Sequence, residues 1–248
     1  MTKAATLAQM GNTNQTFRNR IINGAMVIDQ RNAGASVTAT NGYTVDRWGF
    51  YGTQSSKFTV QQNAGSVTPP AGFTNYLGLT SSSSYSVLSS DFFELYQIIE
   101  GYNIADLGWG TANAKSITLS FWVRSSLTGS FGAFLTNSGS TRIYPFSYTI
   151  SAANTWTQIT TTVTGDTSGT WLTTNGSGLQ VAFGLGSGSN FNATAGAWTG
   201  TANQYIPTGS VSVVGTNGAT FYITGVQLEA GTTATPFEYR QYGTELAL

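Results

Sequence analysis

The chain lacks the two residue types on which most side-chain catalysis depends: its 248 residues include no cysteine and no histidine. Thiolate nucleophiles, Cys-His pairs, Ser-His-Asp triads, zinc sites built on either residue and a histidine pH switch are thereby excluded. Carboxylates remain, and two of them suffice to hydrolyse a glycosidic bond. Several acids lie beside a base, as in Asp29-Gln30-Arg31, Asp46-Arg47 and Glu238-Tyr239-Arg240. In a chain with so few charges, that pattern reads as structural ion pairing. No residue is assigned a catalytic role; a working pair would draw on Glu94 or Glu100, which lie beside Tyr96 and Tyr102.

Sugar recognition asks for something else: flat aromatic faces for pyranose rings, with neutral amides and hydroxyls for their hydroxyl groups. Aromatics make up 13% of this chain, and Ser, Thr, Asn and Gly supply most of its polarity. Trp109 in Gly108-Trp109-Gly110, Trp171 in Gly169-Thr170-Trp171 and Trp198 in AGAWTG lie in glycine-rich loops. With Tyr102, Tyr144 and Tyr205 they are the candidate glycan-stacking residues. The same loop tryptophans would equally serve as plugs over the edge of a β-sandwich. Trp48, Phe121 and Trp156 have the setting of core residues, whereas alternation puts Trp122 on the outer face of its strand.

Calcium is the one metal that this composition would suit, because it accepts carboxylate, amide and backbone oxygens. No Asp-x-Asp-x-Asp loop or dense acidic cluster occurs, so no metal ligands are assigned. The glycine-rich GLGSGSN at 184–190 follows a strand without opening a helix or offering a lysine, which is not the pattern of a phosphate loop.

Charged residues are 8% of the chain, with ten basic against ten acidic. No global field draws it to nucleic acid or to an anionic membrane. No run of residues is long and apolar enough for a membrane span, and MTKAATLAQMGNTNQTFRNR lacks the apolar core of a signal peptide. The composition fits a protein made in a cytosol and released by cell lysis.

The elements that would position these residues are strands. In SITLSFWVRSS (116–126), Ile117, Leu119, Phe121 and Val123 share one face. In GLQVAFGLGSG (178–188), Leu179, Val181, Phe183 and Leu185 alternate with Gln180, Ala182 and Gly184, a face small enough for a loop, a neighbouring subunit or a flat ligand to approach. Other strands are expected at 21–28, 48–51, 57–62, 75–80, 131–136, 146–150, 156–163, 210–214 and 220–228. The segment FFELYQIIEGYNI (92–104) is read as strand because β-branched and aromatic residues dominate it. About a dozen short strands without helical crossovers predict an antiparallel sandwich over 20–248, preceded by a polar N-terminal arm at 1–19 that is either a disordered tail or a segment that docks onto another protein.

In TFYITGVQLEAGTTATPFEYR (220–240) the apolar parity changes, with Phe221 and Ile223 on one register and Val226 and Leu228 on the other. A bulge at Thr224-Gly225 would bring both pairs to the core. Pro236-Phe237 would then end the strand, with Phe237 as an apolar plug and Glu238 and Arg240 as ion-pair partners.

Taken in order, RIINGAMVIDQRNAG (20–34), YTVDRWGF (43–50), IEGYNIADLGWGTANAKSITLSFWVRSS (99–126), PFSYTISAANTW (145–156), GDTSGTWLTTNGSGLQVAFGLGSGS (165–189) and the segment from Gly218 to Leu248 resemble a family of bacteriophage virion proteins. These are structural or tail-fibre-like proteins with a jelly-roll domain similar to carbohydrate-binding modules. The resemblance implies a non-enzymatic protein on the virion exterior, attached to capsid or tail proteins through its arm or a sheet edge, and adhering to host glycans. It also implies a homo-oligomer, with a trimer expected from viral architecture, and it permits a structural calcium ion without assigning ligands. Two other readings stay open, a dedicated receptor-binding sugar module and a glycan depolymerase.

Overall fold

The computed structural model describes residues 17–248. Most of the arm expected at 1–19 therefore lies outside the described residues.

Fourteen strands are formed: β1 (Val37–Thr38), β2 (Gly42–Tyr43), β3 (Gly49–Gly52), β4 (Phe58–Gln62), β5 (Leu77–Ser81), β6 (Phe92–Glu100), β7 (Ile117–Ser125), β8 (Gly129–Thr136), β9 (Ile143–Ile150), β10 (Thr157–Val163), β11 (Ser177–Ser187), β12 (Asn192–Ala193), β13 (Ile206–Pro207) and β14 (Thr220–Ala230). One six-stranded sheet has the order β1-β4-β5-β14-β7-β10 and the other β2-β3-β6-β11-β8-β9, while β12 and β13 form a small parallel pair. Ladders within both large sheets are antiparallel. From β5 onward the chain repeatedly steps from one sheet to the other, producing a jelly-roll β-sandwich.

Alternation decides what lies between the sheets. Ile117, Leu119, Phe121 and Val123 of β7 are all fully buried, and so are Leu179, Val181, Phe183 and Leu185 of β11 facing them. Phe121 bridges the layers edge-on, its ring centroid 5.0 Å from Phe183 and 5.2 Å from Tyr148. Trp122, on the other parity, is half-buried outside. Trp156 departs from expectation: it lies on the outer face, half-buried in a satellite cluster against Tyr76, and its indole N–H donates to the Thr68 carbonyl at 2.9 Å.

The parity change in β14 is a bulge. Thr224 pairs with Trp122 and Gln227 with Ser120, so two residues of β14 oppose Phe121 alone. Gly225 takes the left-handed conformation there (φ 61°), and a Cβ on it would sit 2.5 Å from the Phe73 ring. Beyond the bulge Val226 and Leu228 are fully buried.

The same shift buries Gln227 and Glu229 on the opposite face, and the C-terminal segment satisfies them. Thr235 donates from both its N–H (2.8 Å) and its hydroxyl (2.7 Å) to Glu229, and the Glu238 N–H donates to Gln227 at 2.8 Å. Glu238 in turn accepts the N–H groups of Arg18 and Asn19 at 3.1 and 2.8 Å, tying the start of the sandwich to its end. Arg240 pairs with Glu245 at 3.0 Å. Phe237 is half-buried between Phe73 and Tyr239, at 5.1 and 4.9 Å. It seals an aromatic clamp beside the core.

Three segments differ from the periodicity. Residues 21–28 form turns, because Asn23 (φ 54°) and Met26 (φ 56°) are left-handed. Ile21, Met26 and Ile28 are nevertheless buried, so the apolar pattern serves a loop pinned by Asn23, whose side chain bonds both the N–H and the carbonyl of Ile28. Residues 210–214 end in a single 3-10 turn, Val213–Gly215. The segment 92–104 is strand only to Glu100 and continues as two 3-10 turns. A short helix, α1 (Tyr242–Ala247), closes the chain.

Candidate functional site

The structure gathers four of the six candidate stacking residues in one place. Trp109, Trp171 and Trp198 meet edge to face, with centroids 4.6, 5.3 and 5.4 Å apart, and Tyr144 of β9 packs on Trp198 at 5.2 Å. Trp109 is 6% exposed and Trp171 7%, and each indole N–H already donates to a loop carbonyl: Trp109 to Lys115, Trp171 to Ser168 and Trp198 to Thr164. A bidentate pair between Arg142 and Asp166 (2.7 and 2.8 Å) fastens the loop next to them. Each ring takes the others as its stacking partners, and only half-buried Trp198 keeps part of its surface in solvent. Tyr102 stands apart, 68% exposed, on the 3-10 turn that follows β6.

Tyr205 lies elsewhere, on the outer face of the β6-β11-β8 sheet. The face is built from small residues. A Cβ on Gly184 of β11 would sit 2.6 Å from the Ile206 side chain, and one on Gly132 of β8 would sit 2.7 Å from it. The small face of β11 thus admits a loop, the excursion 188–210 that carries β12 and β13. Phe92, Phe134, Ile143, Ala182 and Ile206 form a second buried cluster beneath it.

A cleft of about 290 Å³ opens between sheet and excursion. Tyr205 stacks at 4.8 Å on Phe134 and 5.4 Å on Phe92, with Phe191 behind, and Tyr51 stands at the mouth with 41% exposure. These rings form an aromatic wall. Opposite Tyr51 in the β3-β6 ladder is Glu94, and Gly184 lies across from it on β11.

Glu94 is 7% exposed. One of its oxygens accepts the Gln180 amide at 3.1 Å, while the other is buried with no partner. Among the described residues it is the one buried carboxylate oxygen so placed. Burial pushes its carboxyl up to about 8, and the Gln180 hydrogen bond offsets only part of that.

Asp91, at the start of the same strand, shows the opposite solution. It accepts the Tyr85 hydroxyl (2.7 Å), the Leu88 N–H (2.8 Å), the Thr53 hydroxyl (3.0 Å) and the Gln54 amide (3.0 Å). Burial acts to raise its pKa, but those four donors outweigh it and hold the carboxyl down at about 2. Glu100 is bound to Arg47 at 2.9 Å. Six residues along one strand separate it from Glu94, roughly 20 Å, beyond the ~5–9.5 Å of a glycosidase pair.

Among the described residues no group of three or more acids could hold a metal ion, so the calcium that the sequence resemblance permits finds no side-chain cluster here. No helix among the described residues is long and apolar enough to cross a membrane.

No family model and no curated protein sequence matches the chain. Its fold is similar to that of solved structures. The enzymatically active domain of tailspike protein 4 from bacteriophage CBA120 aligns over 86% of this chain at 12% identity and a TM-score of 0.47, although the chain spans only 22% of that protein's length. A putative sugar-binding protein from Bacteroides thetaiotaomicron aligns over 86% of this chain and 100% of its own at 11% identity, TM-score 0.43. The N-terminal cellulose-binding domain of a Cellulomonas fimi β-1,4-glucanase aligns over 75% and 90% at 14% identity, TM-score 0.40.

Proposed function

We propose that the chain is a non-enzymatic structural protein of a bacteriophage virion exterior, of the head-decoration or fibre type, and that its outer-sheet cleft adheres to host glycans. The observation that carries the glycan reading is the juxtaposition of a buried, half-partnered Glu94 with the rings of Tyr205, Phe191 and Tyr51. A sugar ring presents an apolar face to aromatics and hydroxyls to an acid and an amide. Glu94 is the one carboxylate lining the cleft, which supports adhesion over hydrolysis. In this reading Tyr205 does the stacking, and the three clustered tryptophans brace the end of the sandwich.

Glycan-array binding by the purified protein tests the cleft. Tyr205→Ala and Phe191→Ala should each reduce the signal at least tenfold while leaving the protein folded. Binding unaffected by either change would reject this cleft. Antibody labelling of intact particles tests the virion assignment and separates head from tail, and light scattering tests the trimer.

A further inference from the structure

Resting on the reading of this cleft as a glycan site, we infer that it selects uncharged sugars over anionic ones, because its lining offers no cation to pair with a sugar anion. Recognition of a sugar carboxylate, sulfate or phosphate calls for guanidinium or ammonium donors. No lysine or arginine lines the cleft. The polar groups that line the cleft with Glu94 are neutral, among them Tyr51 from β3, Gln180 from β11, Thr136 from β8, and Asn203 and Tyr205 from the excursion. Gly184 and Tyr51 are the ladder partners of Glu94, and Tyr96, two residues along β6, is the phenol that interacts with it.

An anionic sugar would give up the hydration of its charge in a cleft with no cation to compensate it. A hydroxyl makes no such demand. It both donates and accepts, and the unpartnered Glu94 oxygen beside the Gln180 amide offers a matching pair. The raised pKa of Glu94 agrees with this, because a carboxyl that keeps its proton near neutrality donates a hydrogen bond without carrying charge.

The test compares matched oligosaccharides by calorimetry at pH 6: galacto- against galacturono-oligosaccharides, and asialo against sialylated glycans. The expected result is at least a tenfold preference for the uncharged member of any pair that binds. The folded Glu94→Gln variant exchanges one uncharged group for another at this pH and should keep the preference. Asn203→Arg, at the exposed rim, adds a cation and should raise binding of acidic members severalfold, which keeps the test decisive if the buried variant misfolds. Equal or tighter binding of acidic members, a preference lost in Glu94→Gln, or a ratio that Asn203→Arg leaves unmoved would overturn the inference. Acidic binding that Tyr205→Ala abolishes removes the charge selection and leaves the glycan site standing. Absence of binding to every probe removes both.

Discussion

Two aromatic clusters occupy this sandwich, and they differ in what their polar atoms lack. The tryptophan cluster is closed: three indoles shield one another, each N–H has its carbonyl, and the adjacent arginine has its aspartate. The cleft around Tyr205 is open: its rings keep exposed surface at the mouth, and a buried acid oxygen has nothing to bond. The number of indoles favours the first cluster and unmet hydrogen-bonding capacity favours the second. Because an unpartnered buried polar group is costly, the second is where a ligand has something to supply.

That contrast breaks most visibly if the tryptophans are removed. Trp109→Ala, which empties a buried site, should cost about 3–5 kcal/mol of unfolding free energy, read by urea denaturation, with glycan binding retained in whatever fraction stays folded. Loss of binding at unchanged stability would transfer the site to the tryptophans.

The next effect is pH-dependent. Glu94 has a folded pKa near 8, above its model-peptide value of 4.5, so the native state holds its proton longer than the unfolded chain. Stability from this group is full below pH 4.5 and lost as pH rises through 8, on the order of 5 kcal/mol in total. The difference in melting temperature between wild type and Glu94→Gln should therefore move in the variant's favour across that range; a constant difference would mean that the acid is already satisfied.

Asp91 runs the other way and calibrates it. With a folded pKa near 2 against 3.8, its contribution is present above pH 4 and lost as pH falls toward 2. Asp91→Asn should cost on the order of 2 kcal/mol at pH 7 and almost nothing at pH 2. The smallest effect is expected at Tyr51, half in solvent at the cleft mouth: Tyr51→Ala should change stability by less than about 0.5 kcal/mol while weakening glycan binding measurably. A large loss of stability there would make the mouth structural, like the tryptophans.

Much of the sandwich could be read from the residues. The alternation at 116–126 and 178–188 located β7 and β11, the parity change located the bulge at Gly225, and the small face of β11 marked a close approach by a loop, a subunit or a ligand, which the structure fills with a loop. The reading failed where apolar spacing served a turn, as at 21–28, because left-handed Asn23 and Met26 leave no periodic trace.

The candidate site was legible only in pieces. Tyr205 is among the aromatics that the sequence offers for stacking, and Glu94 stands out in it only as one half of a catalytic pair. Tyr51 could have been found from the parity of Gly49-Phe50-Tyr51-Gly52, since Phe50 faces the core. Phe191 carried no signal, and Gln180 was visible only as the polar side of its strand.

The sequence by itself determined the class of fold and the chemistry excluded from it, because both follow from local periodicity and from the absence of cysteine and histidine. Only the tertiary structure decided which aromatics close on one another and which acid is left unpartnered. Those outcomes depend on partners distant in the chain, such as Gln180 for Glu94 and Trp198 for Trp109. Burial of a polar atom is a property of the packed layers, so no spacing along one strand encodes it.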